Sequence, residues 1–172
     1  MRQPLYEAHY QFDPTLLIPV LMIVFMLYWP KFQELNYKRS GKELSAKQSK
    51  AFRIQQISGI VFVCFIFSLF LSNHIDMYNK TVGAYRRGEY LITEGPVENF
   101  IPMPKEGHAR ESFQVNGIYF EYSEGLISSA YSNTQPYGGV VRDNQYLKLG
   151  YVYHPSYGNI IIYIEEITDP SN

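Results

Sequence analysis

Cysteine is nearly missing from this sequence: Cys64 is the single one in 172 residues. One thiol closes no intramolecular disulfide and builds no cysteine metal site. Histidine is scarce as well, and His9, His74 and His154 stand apart with no ligand spacing. No phosphate loop, nucleophile elbow, His-Glu-x-x-His pair or cysteine nucleophile with a partner is found. The expectation is a non-enzymatic protein without metal or cofactor. An excess of charge of either sign is also missing, with 15 Lys and Arg against 16 Asp and Glu. After Met77 acids outnumber bases, which leaves no concentrated basic face for nucleic acid.

What the sequence does have is two long apolar runs in its first half. Leu16 to Trp29 (LLIPVLMIVFMLYW) carries no polar side chain, and Phe12 and Phe32 extend it. The run is short for a hydrocarbon core of roughly 30 Å, so a span needs residues 12–31, with Pro14 suited to the start of the helix and Pro30 to its exit. Tyr28 and Trp29 fall where an interfacial aromatic belt belongs. A cleaved signal peptide fits poorly, because Glu7 and Asp13 precede the run and Trp29-Pro30-Lys31 follows it in place of a small-residue cleavage site. The second run, residues 54–73, is broken only by small and amide side chains and reaches across a bilayer. Cys64, Ser68 and Ser72 recur at every fourth position, a seam through which a second copy or a partner helix would approach, and also a spacing at which serines bond back to their own helix.

The stretch between the runs, residues 31–53, holds Lys31, Lys38, Arg39, Lys42, Lys47, Lys50 and Arg53 against Glu34 and Glu43. By the positive-inside rule this loop is cytoplasmic, with both termini and the rest of the chain on the far side of the membrane, which in a Gram-negative bacterium is the periplasm. Residues 1–74 thus read as a two-span hairpin. Ile75, Tyr78, Val82 and Tyr85 continue the helical spacing to Gly88, so residues 75–88 are expected to form a stalk closed by a left-handed glycine. Asn79-Lys80-Thr81 fits a glycosylation sequon, a tripeptide frequent by chance.

From residue 89 to 172 the period changes to two. Tyr90 to Met103 reads as a strand broken by a bulge or bend at Gly95-Pro96, since proline cannot donate to a ladder. Glu111 to Val115 and Ile118 to Ser123 flank Asn116-Gly117, the preferred residues for a tight hairpin. Tyr146 to His154 and Asn159 to Ile167 supply two further strands, the less regular stretch between holds a short one at Ser128 to Ser132 and a turn at Gly138-Gly139, and the total is about five. The predicted fold is therefore membrane α plus all-β: two transmembrane helices, then a five-stranded OB-like or SH3-like barrel.

Glu94-Gly95-Pro96-Val97-Glu98-Asn99-Phe100, then Glu111-Ser112-Phe113, Val115-Asn116-Gly117, Phe120 and Tyr122-Ser123, form a pattern. It resembles the signature of a family of small uncharacterised bacterial inner-membrane proteins with a periplasmic C-terminal β domain. The resemblance covers about the last eighty residues, implies a bacterial source and an intact domain, and carries no activity.

Asn99, His108, Arg110, Glu111, Tyr122 and Arg142 are the candidate binding residues, a polar patch built around the Gly107 to Arg110 loop. Tyrosines crowd the β domain, where their amphipathic rings suit strand packing and binding surfaces alike. The expected function is recognition of a protein, peptide or envelope component by an extracytoplasmic β domain. The alternative is a cytosolic β-barrel sensor of a small anionic ligand such as a cyclic nucleotide, acting on the helices.

Overall fold

A computed structural model of the chain describes residues 3–41, 45–106, 109–124, 127 and 129–168. It divides into a helical unit from Asp13 to Ile75 and a β unit that joins the residues up to Phe12 with those from Asp76 onward.

In the helical unit Asp13 caps the first turn by accepting from the Thr15 N–H at 2.9 Å and the Thr15 hydroxyl at 2.7 Å, and Pro14 opens that turn. Helix α1 then spans Leu17–Arg39. The expected exit at Pro30 is overturned, since α1 passes through it. Proline removes the donor that would bond the Met26 carbonyl. Gln56 replaces it from the neighbouring helix, its Nε2 donating to Met26 O at 3.0 Å and Leu27 O at 3.3 Å. Beyond Pro30 a Glu34–Lys38 pair at 2.9 Å and basic residues in the last turn suit the carbonyl end of the helix. Helix α2 covers Ala46–Tyr78, and Ser45 and Gln48 start it with a reciprocal capping box. The basic segment 31–53 is thus mostly two helix ends rather than a loop. The two helices meet where Gly59 faces Met26, whose Sδ would lie 3.2 Å from a Cβ there, and where the Tyr37 and Phe52 rings touch edge to face at 6.2 Å. Both helices are long and apolar enough to cross a membrane.

In the β unit, α2 runs into a π-type turn, Asn79–Gly83, and a short helix α3, Ala84–Arg87. Gly88 ends it at φ 69°, the left-handed cap expected there. Thr81 of the sequon tripeptide is fully buried, its hydroxyl donating to Met77 O at 2.8 Å and meeting Ser129 Oγ at 2.7 Å. That threonine closes the turn onto the loop over the sheet.

The strands are β1 (Tyr6–Glu7), β2 (Leu91–Ile101), β3 (Glu111–Val115), β4 (Ile118–Tyr122), β5 (Tyr146–His154) and β6 (Gly158–Glu166). They form one antiparallel sheet in the order β1-β6-β5-β2-β3-β4. Among the described residues the sheet has six strands where about five were expected, and its membership differs in two places. Residues 129–132 form no strand, although Tyr131 N–H still donates to Ile161 O at 2.9 Å, and the short N-terminal segment adds an edge. That segment is polar and too short to read as a strand by periodicity, yet Leu5 and Ala8 donate to Ile164 O and Ile162 O, each at 2.8 Å.

Gly95-Pro96 does not break β2. The strand pairs with β5 through Pro96 and with β3 from Val97, so proline sits where the strand changes partner and no N–H is missed. The bulge lies between Glu98 and Ile101, with Asn99 at φ 53°. The Asn116-Gly117 hairpin is as expected, at φ 50° and 74°. The sheet curls into a half-barrel whose ladder does not close among the described residues. Its β4 end is tied to β6 by a side chain, Asn159 Nδ2 donating to Tyr119 O at 2.9 Å. Phe113, Val115, Phe120, Leu147, Leu149 and Ile164 fill the inside of the curl. The consecutive Ile160, Ile161 and Ile162 are all buried, because β6 is covered on both faces: by this core, and by a second cluster with Ala8 and Val82.

Candidate functional site

The hairpin sets Glu111 and Tyr122 directly opposite each other on β3 and β4. Glu111 is fully buried. Its Oε1 accepts from the Tyr122 hydroxyl at 2.6 Å, and its Oε2 accepts from Gln135 N–H at 2.8 Å and Met103 N–H at 3.3 Å. A buried carboxylate is stable only with such donors. Here they come from two separate loops, which the carboxylate ties to the end of the hairpin. Glu124 repeats the device, its Oε1 accepting from the N–H and hydroxyl of Thr134. Gly139 completes the loop by donating to Thr134 O at 2.9 Å, in a place where a Cβ would lie 2.3 Å from Asn133 O.

These tethers wall an open groove of about 680 Å³ lined by Met103, Glu106, Ala109, Arg110, Ser123, Glu124 and Tyr137. Arg110 donates to Glu121 Oε1 at 2.6 Å, and Tyr119 donates to Glu121 Oε2 at 2.8 Å. The Tyr119 hydrogen bond, helped by the Arg110 bond and charge, holds the Glu121 carboxyl below its usual range against the opposing effect of burial. Exposed in the groove are a guanidinium, a serine hydroxyl, carboxylate oxygens and the Tyr137 ring, which is 60 % exposed. That is a set for hydrogen bonding and stacking. Among the described residues no group of three or more His, Cys, Asp or Glu could hold a metal ion.

Of the residues expected from sequence, the fold brings together Arg110 on the groove wall with Glu111 and Tyr122 beneath it. His108 lies outside the described residues. Asn99 is at the β2 bulge, exposed, its Nδ2 donating to Gln114 Oε1 at 3.3 Å. Arg142 is exposed and donates to the carbonyls of Gly139 and Val141 in its own loop. Neither lines the groove. Met103, Glu106, Ser123, Glu124 and Tyr137 come from segments far apart in sequence, with no motif to join them.

Behind Glu111 runs a line of buried rings. Tyr122 meets Tyr131 edge to face at 5.2 Å, and Tyr131 meets Tyr6 of β1 at 5.2 Å. The Tyr131 hydroxyl accepts from Val140 N–H at 2.7 Å, whereas the Tyr6 hydroxyl is buried and has no partner among the described residues. Burial pushes the phenols of Tyr122 and Tyr131 up, and Tyr6 to about 12. In the helical unit Cys64 is exposed, and Ser68 and Ser72 spend their hydroxyls on the Phe65 and Ser68 carbonyls of their own helix at 2.7 and 2.8 Å.

No family model, curated protein or solved structure matches this chain, so its function has to be read from the geometry alone.

Proposed function

We propose that the chain is a non-enzymatic protein of the bacterial inner membrane. Its helices α1 and α2 cross the bilayer as a hairpin, and its curled sheet, a small OB-like or SH3-like barrel left open on one side, binds a protein, peptide or envelope component outside the cytoplasm. One observation carries this reading: β1 precedes α1 in the chain yet pairs with β6 at its other end. A tail before the first helix and a sheet after the second can share a ladder only if the helices together cross an even number of times. The apolar side chains of both helices add support, for Leu21, Phe25, Ile57 and Phe62 are each more than 60 % exposed. In water such surfaces would cost about 25 cal/mol per Å², whereas a bilayer solvates them. The exposed Lys31, Arg39, Lys47, Lys50 and Arg53 between the two apolar runs belong inside by the positive-inside rule, which leaves the sheet outside. The groove beside Arg110 supports recognition as the task, since Glu124 in its lining and Glu111 beneath it are occupied in holding loops.

The test is a pair of reporters fused after Asn172, one active only outside the cytoplasm and one only inside. Signal from the external reporter is expected. Signal from the internal one would overturn the orientation and favour a cytosolic sensor of a small anionic ligand.

A further inference from the structure

The outer face of the sheet carries a second feature, remote in sequence from the groove residues. Gly150 on β5 is flanked across the ladders by Ile92 on β2 and Tyr163 on β6, and Tyr163 in turn pairs with Glu7 on β1. With no side chain at Gly150, the Tyr90 ring lies flat over the strand, its Cε2 2.8 Å from where a Cβ would stand. Tyr85 of α3 completes a set of three near-parallel rings, 5.9 Å from Tyr90 at 27° and 6.3 Å from Tyr163 at 18°. All three rings are half-buried.

Carboxylates stand at the edges of these rings. The Tyr163 hydroxyl donates to Glu165 Oε2 at 2.7 Å, and Glu7 lies directly across the β1–β6 ladder from Tyr163. Glu94 lies across from Lys148, paired with it at 2.9 Å. Among the described residues, neither Glu7 nor Glu165 forms an ion pair with a cation. The basic Arg87 of α3 is held by Glu89 at 2.6 Å. Three carboxylates therefore meet a single ammonium on a surface paved with tyrosine.

We propose that this face is a docking surface for cationic side chains, guanidinium or ammonium, on an extended segment of a partner protein. The proposal rests on the recognition role above and names its partner class. Aromatic faces are electron-rich and attract cations, and a carboxylate at the ring edge adds a charged acceptor for the same group. Charge complementarity selects the occupant. Glu7, Glu165 and Glu94 sit on β1, β6 and β2, spread over three interstrand steps of about 4.8 Å each, while alternate side chains of an extended peptide recur at roughly 7 Å. Two cationic residues on one segment can engage both ends of the face, which a single lipid amine cannot do.

The experiment titrates full-length protein in neutral detergent with tetra-arginine amide, and with tetra-glutamate as the control, by calorimetry. Saturable binding of the arginine peptide is expected, weakened at least tenfold in the double variant Glu7→Gln/Glu165→Gln and unchanged in Glu34→Gln of helix α1, outside both the groove and this face. Tyr163→Phe keeps the ring but frees the carboxylate, and is expected to bind within threefold of the parent. Thermal unfolding checks that each variant folds. Failure of the parent to bind, equal binding by the double variant, or competition by phosphatidylethanolamine vesicles that displaces the peptide at this face would overturn the proposal. The readout does not depend on which side of a membrane the sheet occupies, so its failure leaves the reporter result standing, and the reverse also holds.

Discussion

Glu111 decides more of the β unit than any other side chain, because one buried carboxylate satisfies Tyr122, Met103 and Gln135 together. Glu111→Ala would leave these donors without their acceptor and is expected to cost about 3 kcal/mol or more, read by chemical unfolding of the detergent-solubilised protein. The same change should loosen the groove walls, so Arg110-side binding would weaken even where folding survives. Gly139→Ala is a second residue-scale prediction: backbone atoms of Asn133 and Thr134 occupy the place of the new methyl, so the loop must move, and a clear drop in unfolding midpoint is expected. Tyrosine also sets a pH limit. The phenols of Tyr6, Tyr122 and Tyr131 are pushed up by burial, so the folded state binds protons more tightly than the unfolded chain. Their contribution is fully present below the ordinary tyrosine value of 10.0 and is lost as pH rises toward about 12, where Tyr6 titrates. Spectrophotometric titration should show tyrosinate from these rings appearing only together with unfolding.

Among the elements, α1 depends on its neighbour in a way that its own composition hides. Pro30 frees the Met26 carbonyl, and Gln56 of α2 recaptures it. Gln56→Leu should therefore destabilise the hairpin by about 0.6–2 kcal/mol, the range for polar contacts between spans, measured by reversible unfolding in mixed micelles. Replacing Pro30 by Ala in that background restores the backbone donor and should recover most of the loss. The β1 strand is short but it is anchored: Tyr6 packs on Tyr131, and Ala8 is buried with Val82 and Ile162. Tyr6→Ala removes a large ring from the junction of both clusters and is expected to cost about 3 kcal/mol. Protease protection of the N-terminal tail should fall with it. The run of three isoleucines in β6 makes sense only with Ala8 and Val82 on its second face, since a half-exposed strand would alternate.

At the scale of the whole molecule, the pairing of β1 with β6 links the tail before the first apolar helix to the last strand of the chain. A cleavage after that helix would sever β1 from the sheet it completes. The chain is thus expected to keep its first helix, and the mature protein should retain its N-terminal residues by mass spectrometry. Much of this architecture is legible in local pattern. Two apolar runs of span length, five of the six strands, the Asn116-Gly117 turn and the Gly88 cap all follow from periodicity and backbone preference, which act within a few residues. Three things are not legible there: the passage of α1 through Pro30, the change of ladder at Pro96, and the addition of β1. Each depends on a partner tens of residues away, namely Gln56, Gln145 and Ile164. The groove is hidden for the same reason, as Met103, Arg110, Ser123 and Tyr137 meet only when Glu111 and Glu124 pin separate loops. By itself the sequence determined which segments are helix, strand and turn, because those preferences are local. The tertiary structure alone decided that the sheet stays an open half-barrel edged by the N-terminal tail. It also set that Glu111 is buried as a clamp while the other described acids remain nearer the surface, because long-range pairing and burial select among residues of the same type.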